Sequence, residues 1–199
     1  MAKLYFRYGT MNSGKTALLL QAAFNYEQLG MKTYIMKPKV DTKGDDYLVS
    51  RIGLKRKVDH IINENENIFN EIKEDLDNIK CIFVDEAQFL KAKQIDELMM
   101  LVVAKNIPII CYGLRTDFQT KGFTGSTRLL EIAHKVEELK TICECGSKAI
   151  YNVRKINGKL TFSGDQVAID GKDKITYDSL CAKCYYEKLK KFKNTFNII

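Results

Sequence analysis

Proline is scarce in this 199-residue chain, two in all. No run of about 18 apolar residues is present that could span a bilayer as a helix. The N-terminus does not read as a signal peptide, because Met1-Ala2-Lys3 leads straight into the strand-like segment Leu4 to Tyr8. Internal repeats and low-complexity stretches are absent. These absences argue against a membrane span and a linker-rich array, and the expectation is a soluble, cytoplasmic protein. What is there is 45% apolar residues, enough for one sizeable core plus a small appendage. The formal charge of +7 suits a nucleic-acid binder and a handler of polyanionic nucleotides equally. Most lysines are scattered, and the late cluster Lys188, Lys190, Lys191 and Lys193 reads as a solvated helix face. Six cysteines in an intracellular chain, with close paired spacings, read as a metal site in preference to disulfides.

The stretch Gly9-Thr10-Met11-Asn12-Ser13-Gly14-Lys15-Thr16 fits the phosphate-binding pattern G-x-x-x-x-G-K-[ST] in full. An apolar run precedes it and a helix-like segment from Lys15 to Leu29 follows. That strand–loop–helix setting turns a pattern into a physical expectation: backbone N–H groups turned inward on phosphate oxygens, Lys15 on the outer phosphates, and the Thr16 hydroxyl on Mg²⁺.

Along the chain, helical spacing of Leu18, Leu19, Ala22, Ala23, Tyr26 and Leu29 ends at Gly30. Thr33 to Met36 reads as a strand stopped by Lys37-Pro38. The polar segment Asp41 to Asp59 reads as a long mobile loop. An amphipathic helix follows around Ile68, Phe69, Ile72 and Leu76. Cys81 to Val84 reads as a strand buried on both faces, Ala92 to Lys105 as a helix, and Ile107 to Tyr112 as a strand broken by Gly113. Strand and helix in alternation predict a parallel sheet with helices on both sides, with the ligand beyond the carboxyl ends of the strands. The phosphate loop, Asp85-Glu86 and Gly113-Leu114-Arg115 should therefore converge. From Thr141 the pattern changes to short alternating segments at Ala149, Tyr151 and Val153 and again at Gln166 to Ile169, with Gly158 and Gly164 as turns and a helix from Cys184 to Phe192. The expected organisation is an ATP-binding α/β domain over 1–140, a zinc-binding β subdomain over 141–192, and a frayed tail over 193–199.

Three further constellations carry chemistry. Asp85, at the end of an apolar strand, is placed to hold Mg²⁺ together with Thr16. Glu86 is placed to act as general base, making the protein an ATPase if water attacks the γ-phosphate and a kinase if an alcohol does. Cys143-x-Cys145-Gly146 and Cys181-x-x-Cys184 flank one β segment and suit a closed, structural Zn²⁺ site. Cys81 and Cys111 fall within strands and read as core. In the loop Leu114 to Phe123, Phe118 and Phe123 either stack on a planar base or plug the local core.

Together these segments resemble the thymidine kinase family of the cellular and bacterial type. The resemblance runs from Lys3 to Tyr185 and rests on Gly9 to Thr16, Val84 to Leu90, Tyr112 to Phe118, Leu139 to Cys143, and Tyr177 with Cys181. It implies an α/β P-loop NTPase fold of the RecA-like type, with a small zinc subdomain carrying a lasso loop at about Val167 to Tyr177. It also implies transfer of the ATP γ-phosphate to the 5′-hydroxyl of thymidine, with Glu86 as base and Asp85 on magnesium. ATP contacts then fall on Gly9 to Thr16 and on Asp85, Glu86, Ala87 and Gln88. The thymidine is enclosed by Met11, Phe89, Leu114, Phe118, Phe123, Asn152, Val167, Ile169 and Tyr177. A homotetramer, feedback by dTTP, and no nucleic-acid or membrane partner are further implications. The tight Cys-x-Cys-Gly pair matches one bacterial branch, in which the fourth ligand is commonly His where this chain has Cys184. Asp170 to Thr176 departs from the family's Gly-Gly-Asn, Asp41-Thr42-Lys43 from its Asp-x-Arg, and Asn152 from another small polar residue. The rival reading is a nucleic-acid-dependent P-loop ATPase with a structural zinc module. A second rival is a zinc-ribbon module with a degenerate nucleotide domain, opposed by the presence of Lys15, Thr16, Asp85 and Glu86.

Overall fold

In the computed structural model, which describes residues 1–41, 44–74, 76–167 and 174–196, the chain divides into two compact units. The larger comprises Met1–Tyr8, Gly14–Arg115 and Phe123–Leu139; the smaller comprises Gly9–Ser13, Thr116–Gly122 and Lys140–Ile199.

The larger unit is built on β1 (Leu4–Gly9), α1 (Lys15–Gln28), β2 (Lys32–Pro38), β3 (Tyr47–Val49), β4 (Lys55–Lys57), β5 (His60–Ile62), α2 (Ile68–Ile72), β6 (Ile79–Val84), α3 (Ala92–Lys105), β7 (Ile109–Gly113), α4 (Thr124–Ile132) and β8 (Lys135–Leu139). Six strands form one sheet in the order β5-β2-β6-β7-β1-β8, and the pairs β1–β7, β6–β7, β2–β6 and β2–β5 are parallel. Alternate residues feed two separate cores. Leu4, Phe6, Ile82, Val84, Ile109 and Cys111 pack with Ile95, Leu98, Leu101 and Val102 of α3. Cys81, Phe83, Ile110 and Tyr112 pack with Leu19, Leu20 and Ala23 of α1. A period of two on a sheet covered by helices on both faces gives this division. It also places the carboxyl ends of β6, β7 and β1 along one edge, so that Asp85 and Leu114 emerge as neighbours.

Several elements differ from the sequence expectation. The described part of 41–59 is not an open loop: β3 and β4 pair antiparallel, Tyr47 opposite Lys57, with Leu48 and Val58 buried. Three-residue strands are too short to show periodicity, and the apolar residues are few. β2 runs on through Lys37 to Pro38, where it pairs β5. The helix α4 and the charged strand β8 were not anticipated. No helix among the described residues is long and apolar enough to cross a membrane.

The smaller unit carries an antiparallel sheet of β9 (Tyr151–Ile156), β10 (Lys159–Thr161) and β11 (Ile175–Leu180), in the order β10-β9-β11, followed by α5 (Ala182–Phe196). β9 and β10 are joined by the two-residue turn Asn157-Gly158. The core is small: Cys143, Ala149, Val153, Leu180, Cys181 and Tyr185. Of the segment read as a strand at Gln166 to Ile169, Gln166 and Val167 lie in a bend, and Ala168 and Ile169 lie outside the described residues. The helix extends beyond Phe192 to Phe196, into the stretch read as a frayed tail.

Candidate active site and metal centre

In the larger unit, the loop after β6 and the start of α1 build an acidic cluster around one lysine. The Thr16 hydroxyl donates to Asp85 Oδ2 at 2.8 Å, and the Glu86 amide donates to Asp85 Oδ1 at 3.0 Å. Asp85 is only 2% exposed. Burial first, and the neighbouring Glu86 carboxylate second, push its acid up to about 7, against the two hydrogen bonds and the charge of Lys15. Lys15 is itself buried; desolvation lowers its ammonium pKa, while the charges of Glu86 and Asp85 raise it. Lys15 and Asp85 buried beside a half-buried Glu86 form an electrostatic site of the kind that phosphoryl chemistry uses.

Glu86 adopts a left-handed backbone, φ 50°, at the entrance of a 3₁₀ turn over Ala87–Phe89. Its carboxylate Oε2 accepts from Gln88 Nε2 at 2.5 Å, and Gln88 Oε1 accepts from the Leu114 amide at 3.1 Å. Gln88 is buried and thus bridges the ends of two neighbouring strands. The bridge depends on Gly113, because a Cβ there would lie 2.7 Å from Gln88 Oε1. Phe89 meets Phe123 edge-to-face, centroids 5.7 Å apart, and both Phe123 and Leu114 are buried. Gly14, Lys15, Thr16, Asp85, Glu86, Ala87, Gln88, Phe89, Leu114 and Phe123 thus all belong to this unit.

The smaller unit holds Gly9 to Ser13. Met11 N–H donates to Asn152 Oδ1 at 2.7 Å, and the Ser179 hydroxyl donates to Met11 O at 2.5 Å. Asn12 is left-handed at φ 64°, and Ser13 N–H turns back to Thr10 O at 3.4 Å. The Ser13 hydroxyl is buried with no hydrogen-bond partner among the described residues, which fits a segment shaped for phosphate oxygens. Arg154, 3% exposed, lies 3.8 Å over the Phe118 ring and 5.5 Å from the Tyr177 centroid. It donates through Nε to Tyr177 OH at 3.0 Å, and its two terminal nitrogens donate to the carbonyls of Asp165 and Gln166 at 2.8 and 3.0 Å. Phe118 is therefore a buried residue packed on a guanidinium, a placement that loop composition alone does not reveal. Val167 is half-buried; Ile169, and with it positions 168–173 of the expected lasso, lie outside the described residues, as do Thr42 and Lys43.

In the same unit the Sγ atoms of Cys143, Cys145, Cys181 and Cys184 all lie within 4.8 Å of one another, with Cys145 and Cys181 3.6 Å apart. Four thiolates about 2.3 Å from one tetrahedral ion would sit about 3.8 Å apart, so the donor set fits zinc. Cys143 and Cys145 sit on a tight turn closed by Cys143 N–H to Ser147 O, and Cys181 and Cys184 at the start of α5. Hydrogen bonds from Ser147 draw the Cys145 thiol down to about 6, whereas hydrogen bonding to Cys181 pushes Cys184 up. Four sulfurs this close suit one shared cation. Cys81 and Cys111 are fully buried core residues with pKa values raised by desolvation.

The sequence profile described as Thymidine kinase matches residues 2–185, nearly the whole chain. The chain belongs to the thymidine kinase family. It is 47% identical to the thymidine kinase of Mesorhizobium japonicum over 193 residues, covering 95% of this chain and 93% of that one. It is 46% identical to the thymidine kinase of Enterobacteria phage T4, covering 96% and 99%, and 43% identical to that of Mannheimia succiniciproducens, covering 98% and 100%. A solved DNA replication initiation factor aligns at a TM-score of 0.39 with 16% identity, over 70% of this chain and 40% of its own. Within the family frame, the residues that sequence reasoning missed are Ser179 and Arg154. Their contacts, Ser179 with Met11 and Arg154 with Phe118, join positions far apart in the chain, so no local pattern marks either residue.

Proposed function

We propose that this member of the thymidine kinase family transfers the γ-phosphoryl group of ATP to the 5′-hydroxyl of thymidine, giving dTMP and ADP. The observation that carries the reading is the placement of Glu86 beside Asp85 and Lys15, with its carboxylate oriented by Gln88. In the proposed step the thymidine oxygen forms a bond to the γ-phosphorus as the bond to the bridging oxygen of ADP breaks, and Glu86 accepts the hydroxyl proton. Lys15 offsets charge on the transferred group, and the N-terminus of α1 favours the phosphates. Mg²⁺, when bound with ATP, would be held through Thr16 and Asp85 and would neutralise phosphate charge. Zn²⁺ on the four cysteines would serve structure alone, because four protein ligands leave no open position. Met11, Phe89, Leu114, Phe118, Phe123, Asn152, Val167 and Tyr177 are proposed to enclose the nucleoside. A homotetramer and inhibition by dTTP accompany the family reading.

The test is release of ADP from ATP with and without thymidine. ADP release should require thymidine, and Glu86→Gln should lower kcat by about 10²- to 10⁴-fold. ATP hydrolysis that ignores thymidine, or that responds to single-stranded DNA, would overturn the proposal.

A further inference from the structure

The peptide groups on either side of Met11 are held by side chains from one β ladder. Asn152 on β9 and Ser179 on β11 are directly paired across the sheet, so both side chains stand on the same face. Asn152 takes the Met11 N–H at 2.7 Å, and Ser179 gives its hydroxyl to the Met11 carbonyl at 2.5 Å. The amide nitrogen of Asn152 also reaches Thr116 O at 3.2 Å, tying in the segment that carries Phe118. Residues 9–13 of the phosphate motif accordingly belong to the smaller unit, although β1, which leads into them, is a strand of the large sheet. Met11 N–H is committed to Asn152, so it acts as an anchor and not as a phosphate donor.

A loop containing a left-handed Asn12 costs conformational free energy to hold in one shape. Something must offset that cost before ATP arrives, or ATP binding does so at the expense of affinity. We infer that Asn152 and Ser179 are positioning residues for ATP: they fix the Met11 peptide and with it the shape of the phosphate-loop segment Gly9–Ser13. The ladder that supports them is anchored next door, because β11 ends at Leu180 and Cys181 follows directly. ATP affinity is thereby linked to the integrity of the cysteine cluster through two residues of chain. The inference rests on the ATP-binding reading proposed above.

The experiment titrates ATP calorimetrically into the wild-type protein and into Ser179→Ala, Asn152→Ala and the double variant, with KM for thymidine, melting temperature and metal content measured alongside. Ser179→Ala should weaken ATP about five-fold, the worth of one ordinary hydrogen bond, and Asn152→Ala about ten-fold or more, because it leaves the part-buried Met11 N–H without its acceptor. For Ser179→Ala, KM for thymidine should hold within about two-fold and metal content should stay whole, which a general loosening of the fold would not allow. If Asn152→Ala fails to fold, Ser179→Ala carries the test, because it removes one hydroxyl and nothing else. Unchanged ATP affinity in Ser179→Ala beside a wild type that binds ATP would overturn the inference and leave the kinase reading intact. Equal losses for ATP and thymidine in Ser179→Ala would also overturn it. A wild type that does not bind ATP would fail before any variant is tested and would remove the kinase reading itself.

Discussion

The two units of this chain solve the problem of burial in opposite ways. The larger has two apolar clusters, one on each face of a parallel sheet, and residues such as Leu4, Phe6, Ile82, Phe83 and Ile95 are wholly inaccessible. Among the described residues the smaller has one cluster of six buried residues, two of them from the four-cysteine cluster. A core of that size supplies little stabilisation by itself, and small folds of this kind lean on cross-links or metals. Polar side chains supplement it: Arg154 and Asn152 are buried in this unit and tie carbonyl and amide groups from three separate stretches of chain. Apolar area holds one unit, while the other combines a small core with buried hydrogen bonding and a four-cysteine cluster that fits a metal.

The largest effect that tests this contrast is expected at the four cysteines. Zinc loaded there should contribute on the order of 10 kcal/mol, lost on chelation or in Cys181→Ser. Amide hydrogen exchange should then show β9 and β11 losing protection while β6 and β7 keep theirs. Uniform loss across both units would break the comparison. Next comes Phe83→Ala, which should cost about 3–5 kcal/mol in thermal or denaturant unfolding of the larger unit without lowering metal stoichiometry.

A third test uses the buried carboxylate. Asp85 holds its proton up to about 7 in the folded, ligand-free protein. Its unfolded counterpart loses that proton near 3.8. The folded state therefore binds more protons in that window, and stability is greatest at the acid end and falls as pH rises towards 7. Asp85→Asn should flatten that dependence and raise the melting temperature at pH 8, an effect of at most about 4 kcal/mol, while impairing phosphoryl transfer. A melting temperature at pH 8 lower than wild type would contradict it. The smallest effect is expected from Arg154→Met, which leaves the carbonyls of Asp165 and Gln166 and the Tyr177 hydroxyl without their donor. It should destabilise the smaller unit by about 1–3 kcal/mol and leave the unfolding of the larger unit unmoved.

The parts of the fold legible in the sequence are those whose physics is local. Gly9 to Thr16 is contiguous, and the run Cys81 to Val84 is apolar throughout because both faces are covered. Ala92 to Lys105 repeats its apolar residues at helical spacing and was bounded correctly. Less legible were elements whose stability comes from elsewhere. The β3–β4 hairpin is too short for a pattern, α4 begins with Thr124-Gly125-Ser126, and β8 reads Lys-Val-Glu-Glu-Leu. The cysteines were found because metal spacing is itself a signal. The grip of Ser179 on Met11 spans 168 positions and leaves no trace in either neighbourhood. Likewise nothing near Phe118 announces that Arg154 will cover its ring.

Asn152 faces Ser179 and Arg154 faces Tyr177, with Val153 pointed to the opposite side among the apolar residues. Length changes between Val167 and Lys174, outside β10 and the carbonyls that Arg154 grips, leave this pairing untouched. A single residue gained or lost between Tyr151 and Ile156 would turn the polar pair inward and the valine outward in one stroke. Relatives of this protein should therefore vary freely in the size of that excursion while keeping strict parity within the strand, a pattern that can be read by counting residues.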